Sequence, residues 1–253
     1  MKKTIIALMA LAGAAGAVDL TTLVTMDQLI AAAGTNTATQ VQNMSVTTYE
    51  FGNGTYIGDI TLDALNTAIA DSDTYITIAA WVKPTDTNGV ESIFGYGAQS
   101  DGFKFCINGD GLQYTAKSVA DREKVDPNLP ADTWTLVGIS FKGGTDAAKG
   151  RYFAGTSNNN FFTRDVLGGF AAPAAGDQTF AIGSGNSEEA RESFNGQIAG
   201  LTIFTSNAYI SGVNEVTAIM GTTAPKSIPE PTTATLSLLA LAGLAARRRR
   251  ASR

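Results

Sequence analysis

The sequence contains no histidine and a single cysteine, Cys106. Without histidine the chain cannot carry out Ser-His-Asp or Cys-His catalysis, bind zinc through imidazole or use an imidazole pH switch. With one cysteine it cannot form an intrachain disulfide, so burial of a hydrophobic core has to supply its stability. Cys106 lies in the apolar run GFKFCI, and we interpret it as a small buried hydrophobic residue.

Basic residues are also few, and many of them lie at the two ends. Seven of the 18 lysines and arginines lie within residues 1–17 or 229–253, but only one of the 23 acidic residues, Glu230, does; this leaves 11 basic against 22 acidic residues between the ends, a charge of about −11. This acidity excludes a basic groove for nucleic acid. At 253 residues with 44% hydrophobic content, the chain is long enough for one large all-β domain.

The N-terminus has the three parts of a secretory signal peptide. Lys2 and Lys3 precede an apolar run over residues 5–16, and the small residues up to Ala17 form an A-x-A cleavage site. The apolar run is too short for a helix that spans a bilayer. We therefore expect cleavage after Ala17 and export of residues 18–253 to the cell surface or the extracellular space.

The C-terminal residues 229–253 also have three parts. A PEP motif is followed by an apolar segment over residues 234–246 and a basic cluster. The motif is Pro229, Glu230 and Pro231, and the cluster is Arg247, Arg248, Arg249 and Arg250. This tail resembles the PEP-CTERM sorting signal of exported bacterial proteins, which implies an exosortase-type processing enzyme as a partner. Because about 13 apolar residues are marginal for spanning, we expect a transient membrane anchor; an ordinary tail anchor is the alternative.

The residues between the ends alternate in a way that is typical of β-strands. Tyr75–Pro84 has an aliphatic row at its even positions and a mixed row at its odd positions, and Pro84 ends the strand. Similar runs occur at 46–51, 55–60, 92–97, 102–107, 112–116, 133–142, 151–155, 161–166, 179–183 and 197–205. They predict an all-β fold, a two-sheet antiparallel jelly-roll sandwich over residues 46–220.

Segments of other kinds flank or interrupt these runs. Residues 18–45 form an N-terminal segment, and residues 221–228 form a linker to the tail. Short helical pieces are predicted at 26–33, 62–70 and 211–220, and the NGDG sequence at 108–111 predicts a hairpin.

Four segments in order resemble landmarks of the laminin G-like, concanavalin A-like jelly rolls. They are IAAWVKP at 78–84, TWTLVGI at 133–139, YFAG at 152–155 and FNGQI at 194–198. The chain departs from the family pattern at Leu136, Ala154 and Ala199, which puts in doubt polar sites that the family builds there. Trp81 and Trp134 lie among apolar neighbours, and we predict that both belong to the core.

The resemblance implies two kinds of rim site. A single calcium ion held by loop oxygens is one, and the candidate ligands are Asp101, Asn108 and Asp110; the alternative is that these residues only shape turns. A ligand contact through exposed loop aromatics is the other, and its candidates are Tyr96, Phe161 and Phe162 with the adjacent Asn158 and Asn159.

These features predict a non-catalytic binding or adhesion protein that recognises a glycan or an extracellular protein through its rim loops. The alternative is a structural component of an extracellular matrix or envelope layer. A glycoside hydrolase is less favoured, because the E-x-D-x-x-E run of the glucanase relatives is missing. Glu188 and Glu189 are adjacent and would face opposite ways on a strand.

Overall fold

The computed structural model describes most of the chain between residues 20 and 227. The described residues are 20–52, 54–97, 102–116, 120–121, 128–144, 149–157, 160–167, 178–185, 192–210 and 225–227. Ala17, the PEP motif, the four arginines and the predicted helix at 211–220 lie outside them. In the described part of the chain, no helix has the length and apolar character needed to cross a membrane.

The described residues form strands with two short helices between them. In chain order the elements are β1 (Leu20–Thr25), α1 (Met26–Ala32), β2 (Thr35–Asn36), β3 (Thr39–Gln40), β4 (Thr48–Phe51), β5 (Ile57–Thr61), α2 (Asp63–Ala70), β6 (Tyr75–Pro84), β7 (Val90–Tyr96), β8 (Phe103–Asn108), β9 (Gly111–Ala116), β10 (Ala120–Asp121), β11 (Thr135–Lys142), β12 (Lys149–Ser157), β13 (Asn160–Leu167), β14 (Thr179–Ile182) and β15 (Gly196–Ser206).

These strands form two antiparallel sheets, which confirms the predicted all-β sandwich. The first sheet has the order β13-β12-β11-β6-β15-β4-β3, and β1 also pairs with β15. The second sheet has the order β10-β9-β8-β7-β14-β5-β2. β6 lies between β11 and β15, so the strand predicted at Tyr75–Pro84 is central to the first sheet.

The main core lies between the two sheets. The even row of β6, Ile76, Ile78, Ala80 and Val82, is fully buried there. Aromatic rings of the second sheet pack against the first: the Phe103 ring lies 5.4 Å from that of Tyr114 and 5.6 Å from that of Phe141 in β11. Contacts of this kind add specific geometry to the area that the rings bury.

A smaller apolar cluster covers the outward side of the first sheet. It contains Ala79 and Trp81 from the odd row of β6, and its other members are Leu20, Leu136, Phe153, Ala199, Phe204 and Ile210. Trp81 is only 4% exposed, so its prediction as a core residue is confirmed, and Trp134 is partly buried against the same cluster. The odd-numbered side chains of β6 are therefore largely shielded from solvent too, although the sequence predicted a mixed polar and apolar face for them.

The N-terminal segment belongs to the sandwich. β1 pairs with β15, β2 with β5, and β3 with β4. The sandwich thus begins at Leu20 in the described chain, earlier than the predicted boundary at residue 46. The helices predicted at 26–33 and 62–70 are present as α1 and α2.

Candidate functional site

The structure contradicts the expectation that Tyr96 is an exposed loop aromatic. Tyr96 is the last residue of β7, and none of its surface is exposed. Its register partner is Phe103, and the two rings stack with centroids 5.5 Å apart. The hydroxyl of Tyr96 donates a hydrogen bond of 2.5 Å to Oδ1 of Asn66 in α2. The prediction was wrong because Tyr96 lies on the inward face of β7, where its ring packs in the main core.

The other predicted aromatic contacts belong to an edge strand rather than to a loop. Phe161 and Phe162 both lie in β13, the outermost strand at one side of the first sheet. Phe162 is partly buried and packs against the main core. Asn158, Asn159 and the side chain of Phe161 lie outside the described part of the chain, so their role stays a prediction.

Two of the three residues predicted to bind calcium lie at the β8–β9 hairpin. Nδ2 of Asn108 donates a hydrogen bond of 2.5 Å to Oε1 of Gln113. The backbone carbonyl of Asp110 accepts a hydrogen bond of 2.9 Å from the amide of Leu129. Asp101 lies outside the described residues. Among those that are described, no group of three or more cysteine, aspartate or glutamate side chains could hold a metal ion, and calcium binding stays a prediction.

The outward side of the second sheet carries a polar patch that the sequence analysis did not single out. This outer polar face consists of Ser92, Lys104, Cys106, Asn108, Gln113 and Thr115, which register pairing places on one side of β7, β8 and β9. Apart from Asn108, each of these residues is buried, with at most 8% of its surface exposed. The patch is therefore covered, and it is not an open groove.

The segment that follows β14 supplies part of this cover. Nζ of Lys104 forms an ion pair with Oε2 of Glu192, and the Lys104 side chain is 9% exposed. The amide of Ser92 donates a 2.6 Å hydrogen bond to the carbonyl of Glu192. A Cβ added to Gly95 would lie 2.8 Å from the carbonyl oxygen of Ser184, so backbone rests directly on β7. A ligand cannot reach Lys104 while these contacts are in place.

Glu91 is a buried acid at the edge of the main core. Its register partner is Ile107, and it is 7% exposed. The amide of Asn195 donates a 3.1 Å hydrogen bond to its Oε2. Burial raises the pKa of Glu91 to about 7; the negative charge of Asp86 adds to this shift, and the Asn195 hydrogen bond opposes it. Glu91 thereby links β7 of the second sheet to the residue before β15 of the first.

An open cavity lies on the other sheet, at a break in the pairing of β15. Along one edge of β15, β4 pairs only with Gly196–Ala199 and β1 only with Thr202–Ser206. The pairing of β15 with β6 also shifts between Ala199 and Thr202. Gly200, with φ of 59°, makes this bend, and its amide donates a 3.1 Å hydrogen bond to the carbonyl of Thr47. We call the resulting cavity of about 320 Å³ the β15 notch.

Hydroxyl groups and one carboxylate line the β15 notch. The lining residues are Thr25, Met26, Asp27, Ser45, Val46, Thr47, Gly200 and Thr202. The hydroxyl of Thr47 donates a 2.6 Å hydrogen bond to Oδ1 of Asp27, and the hydroxyl of Thr202 donates one of 2.9 Å to the carbonyl of Gly200. Oδ2 of Asp27 has no hydrogen-bond partner in the part of the chain that the structure describes. Asp27 and Ser45 are exposed, so solvent reaches the lining.

The lining of the notch comes from three segments that are distant in the sequence, so the notch could not be predicted from the sequence. Residues 25–27, 45–47 and 200–202 meet only through the pairing of β1, β4 and β15. No local pattern joins them. The outer polar face did leave a signal, since residues 103–108 alternate between core and polar positions.

Comparison with protein families places the fold. The Laminin_G_3 family model, described as the concanavalin A-like lectin/glucanases superfamily, matches residues 53–208, more than half of the chain. The chain belongs to this family. The laminin G-like part of the predicted resemblance is thereby confirmed, and the notch combines a part of the chain before the family match, 25–27 and 45–47, with a part inside it, 200–202.

Solved structures with similar folds are distant in sequence from this family member. The CBM40 of the Ruminococcus gnavus IT-sialidase, bound to alpha2,3 sialyllactose, is 16% identical over 71% of this chain and 98% of its own, with a TM-score of 0.48. Domain 4 of AbnA, a GH43 extracellular arabinanase from Geobacillus stearothermophilus, in complex with arabinotriose, is 14% identical over 74% and 82%, with a TM-score of 0.46.

A third similar structure is the binding domain of botulinum neurotoxin serotype D. It is 12% identical over 73% of this chain, with a TM-score of 0.47, and the alignment spans 45% of the toxin domain. A comparison with curated proteins found no match. The family assignment therefore rests on the family model.

Proposed function

We propose that this protein binds carbohydrate without cleaving it, and that the β15 notch holds the sugar. The observation that carries the proposal is the convergence of Asp27, Ser45 and Thr47 on one solvent-exposed cavity of about 320 Å³. This volume lies at the lower end of the range of about 300 to 1,000 Å³ for small-molecule sites. It suits one or two sugar rings better than a long chain.

The chemistry of the lining matches that of a neutral sugar. Each sugar hydroxyl both donates and accepts, and a carboxylate oxygen is a strong acceptor for it. Oδ2 of Asp27 offers such an acceptor, and Ser45 brings a hydroxyl that can act in both directions, whereas the hydroxyl of Thr25 already donates a 3.2 Å hydrogen bond to Oε1 of Gln28. Val46, which is partly exposed, supplies apolar surface for the C–H face of a sugar ring.

Binding fits this site better than hydrolysis does. Glycoside hydrolysis uses two carboxyl groups that face each other across the scissile bond. Among the described residues, the notch lining contains one carboxylate, that of Asp27. Glu91 has a raised pKa but accepts a backbone hydrogen bond at the core edge, and the carboxylate of Glu192 is paired with Lys104.

Calorimetric titration of the full chain with methyl α-mannoside, methyl α-glucoside and methyl β-galactoside tests this proposal. We expect saturable binding to at least one of them, and no release of shorter products from oligosaccharides. Replacement of Asp27 by Asn is expected to weaken binding at least tenfold, since a hydrogen bond to a charged group contributes about 1.5 to 3 kcal/mol.

Asp73→Asn is the matched control, because it removes the same charge from an exposed turn outside the notch. Equal affinities of the Asp27→Asn and Asp73→Asn variants would refute the notch as the site. A chain that binds none of the sugars but self-associates in sedimentation would instead support the structural-component alternative.

Export and surface sorting form a second part of the proposal, and the two chain ends support it. We propose that residues 1–17 direct export and that residues 229–253 anchor the protein transiently at the membrane until an exosortase-type enzyme processes it. Mass spectrometry of the mature protein should find a first residue at position 18 and loss of the arginine cluster. Retention of both ends in the surface fraction would contradict this.

A further inference from the structure

The last described residues of the chain hold one wall of the β15 notch. The amide of Ser45 donates a 2.9 Å hydrogen bond to the carbonyl of Lys226, and the amide of Lys226 donates one of 2.9 Å to Oγ of Ser45. Met44 and Ser227 form an antiparallel bridge beside this pair. Pro225 is buried, whereas Lys226 is exposed. A residue that lines the notch is thus bonded on two sides to a segment about 180 positions away.

We propose that residues 225–227 are a positioning segment for the notch, so that sugar binding and docking of this segment are coupled. The inference rests on the proposed function. Ser45 lies between the bridge at Met44 and the start of β4 at Thr48, in a stretch without regular pairing. Lys226 fixes the Ser45 amide and orients its hydroxyl, which leaves the hydroxyl proton available to a ligand. Without residues 225–227 the Ser45 wall would have to be ordered at the moment of binding.

The coupling acts in both directions. If docking of residues 225–227 increases the affinity of the notch for a sugar, then a bound sugar must stabilise the docked segment by the same factor. Ser227 is two positions before Pro229, the first residue of the predicted sorting motif. Occupancy of the notch would therefore change how firmly the chain is held just before that motif.

The test uses the full chain with a matched pair of substitutions at one position. Lys226→Pro removes the amide that donates to Ser45, while Lys226→Ala keeps it. We expect Lys226→Pro to weaken binding of the best methyl glycoside about five- to tenfold, the effect of losing one hydrogen bond, and Lys226→Ala to change it less than twofold. Amide hydrogen exchange at Ser45 should become about tenfold faster in Lys226→Pro and stay unchanged in Lys226→Ala.

Pro225→Gly serves as a second variant, since it loosens the same segment without touching Ser45. Unfolding curves that match the wild type show that each variant is folded. The inference would be overturned if both Lys226→Pro and Pro225→Gly bound the glycoside with the wild-type affinity and showed the wild-type rate of amide exchange at Ser45. If the wild type binds no glycoside, the proposed function fails, and Ser45 exchange alone then decides: faster exchange in both variants supports positioning, and unchanged exchange refutes it.

Discussion

The outer polar face and the β15 notch are two polar patches that lie beside irregular strand pairing, yet only one of them is open. In β7 the pairing shifts between Ser92 and Phe94, and the segment after β14 bonds to Ser92 at that point. In β15 the pairing shifts between Ala199 and Thr202, where β4 and β1 both stop short. The first irregularity is covered by the chain itself, and the second leaves a cavity.

The difference between the two patches lies in what their polar side chains bond to, and this says more about function than the kind of side chain present. Lys104 meets the carboxylate of Glu192 inside the protein. Asp27 lines the notch; one of its carboxylate oxygens accepts from Thr47, and the other has no partner among the described residues. A ligand at the outer polar face would have to replace internal bonds, whereas a ligand at the notch only replaces water.

The largest expected effect distinguishes the two patches by adding one methyl group to each. A Cβ at Gly95 would meet backbone atoms of Ser184 and Gly185 at 2.8 to 2.9 Å, so Gly95→Ala should lower the free energy of unfolding by about 3 kcal/mol. A Cβ at Gly200 would meet the Val46 side chain at 2.9 Å, and its φ of 59° adds strain of about 1 kcal/mol. Gly200→Ala should therefore be milder.

Urea unfolding measures both losses, and sugar titration separates them. Gly200→Ala narrows the notch and should weaken sugar binding, while Gly95→Ala should leave the affinity of the folded fraction unchanged. If Gly95→Ala lost sugar affinity and Gly200→Ala did not, the sugar site would lie on the second sheet, at the outer polar face and not at the β15 notch.

The next effect concerns the ion pair over the outer polar face. Glu192→Ala leaves the ammonium of Lys104 covered and unpaired, which should cost about 2 kcal/mol of stability, less than for a fully buried pair because Glu192 is 43% exposed. Lys104→Met in the Glu192→Ala background should restore most of this loss, since an apolar chain then replaces the charge. A double-mutant cycle by urea unfolding measures the coupling; additive losses would contradict an ion pair.

A third and smaller effect is a pH dependence that originates at Glu91. Its pKa is about 7 in the folded protein, above its ordinary 4.5, so between these values the native state holds a proton that the unfolded state has released. Stability from this group is therefore full below pH 4.5 and falls as pH rises to about 7, by on the order of 1 kcal/mol for a carboxyl at the core edge. Glu91→Gln should flatten this slope.

Unfolding free energies at pH 5 and pH 8 check this prediction. The difference between Glu91→Gln and wild type should grow with pH, and Asp73→Asn provides the exposed control. Sugar affinity should not follow this titration, because Glu91 does not line the notch. The opposite result would be a sugar affinity that changes with a midpoint near pH 7 in the wild type and is constant in Glu91→Gln. It would indicate that the sugar binds near Glu91 on the second sheet.

The sequence was sufficient for the parts of the fold that have local causes. The alternation of Tyr75–Pro84 and the missing amide of Pro84 predicted β6 at its observed bounds. The NGDG sequence predicted the β8–β9 hairpin, where Asn108 pairs with Gly111. The strand at Leu20–Thr25 was missed because its pairing partner is β15, nearly 180 positions away, and nothing in the local sequence indicates that contact.

The candidate site was less predictable, for reasons that the misplaced residues show. Tyr96 stands between two glycines, a pattern typical of a turn, yet only Gly97, with φ of 77°, begins the bend. The rim loops attracted attention because Asn, Asp and Gly are common there, although these residues mostly serve the backbone. Asp27 carried no comparable signal, because its neighbours Thr47 and Gly200 become neighbours only after folding.

The smallest expected effect tests whether the notch uses its hydroxyls or only its carboxylate. Thr202→Val preserves shape and β-propensity but removes the hydroxyl that bonds to the carbonyl of Gly200. We expect a loss of about 0.5 to 1 kcal/mol in sugar binding, a few-fold in affinity, and little change in stability, because Thr202 is partly exposed. Thr205→Val, on the same strand but outside the notch, is the matched control. If both valine variants bind the sugar with the wild-type affinity while Asp27→Asn binds it more weakly, the Asp27 carboxylate recognises the sugar and the hydroxyl of Thr202 does not contribute.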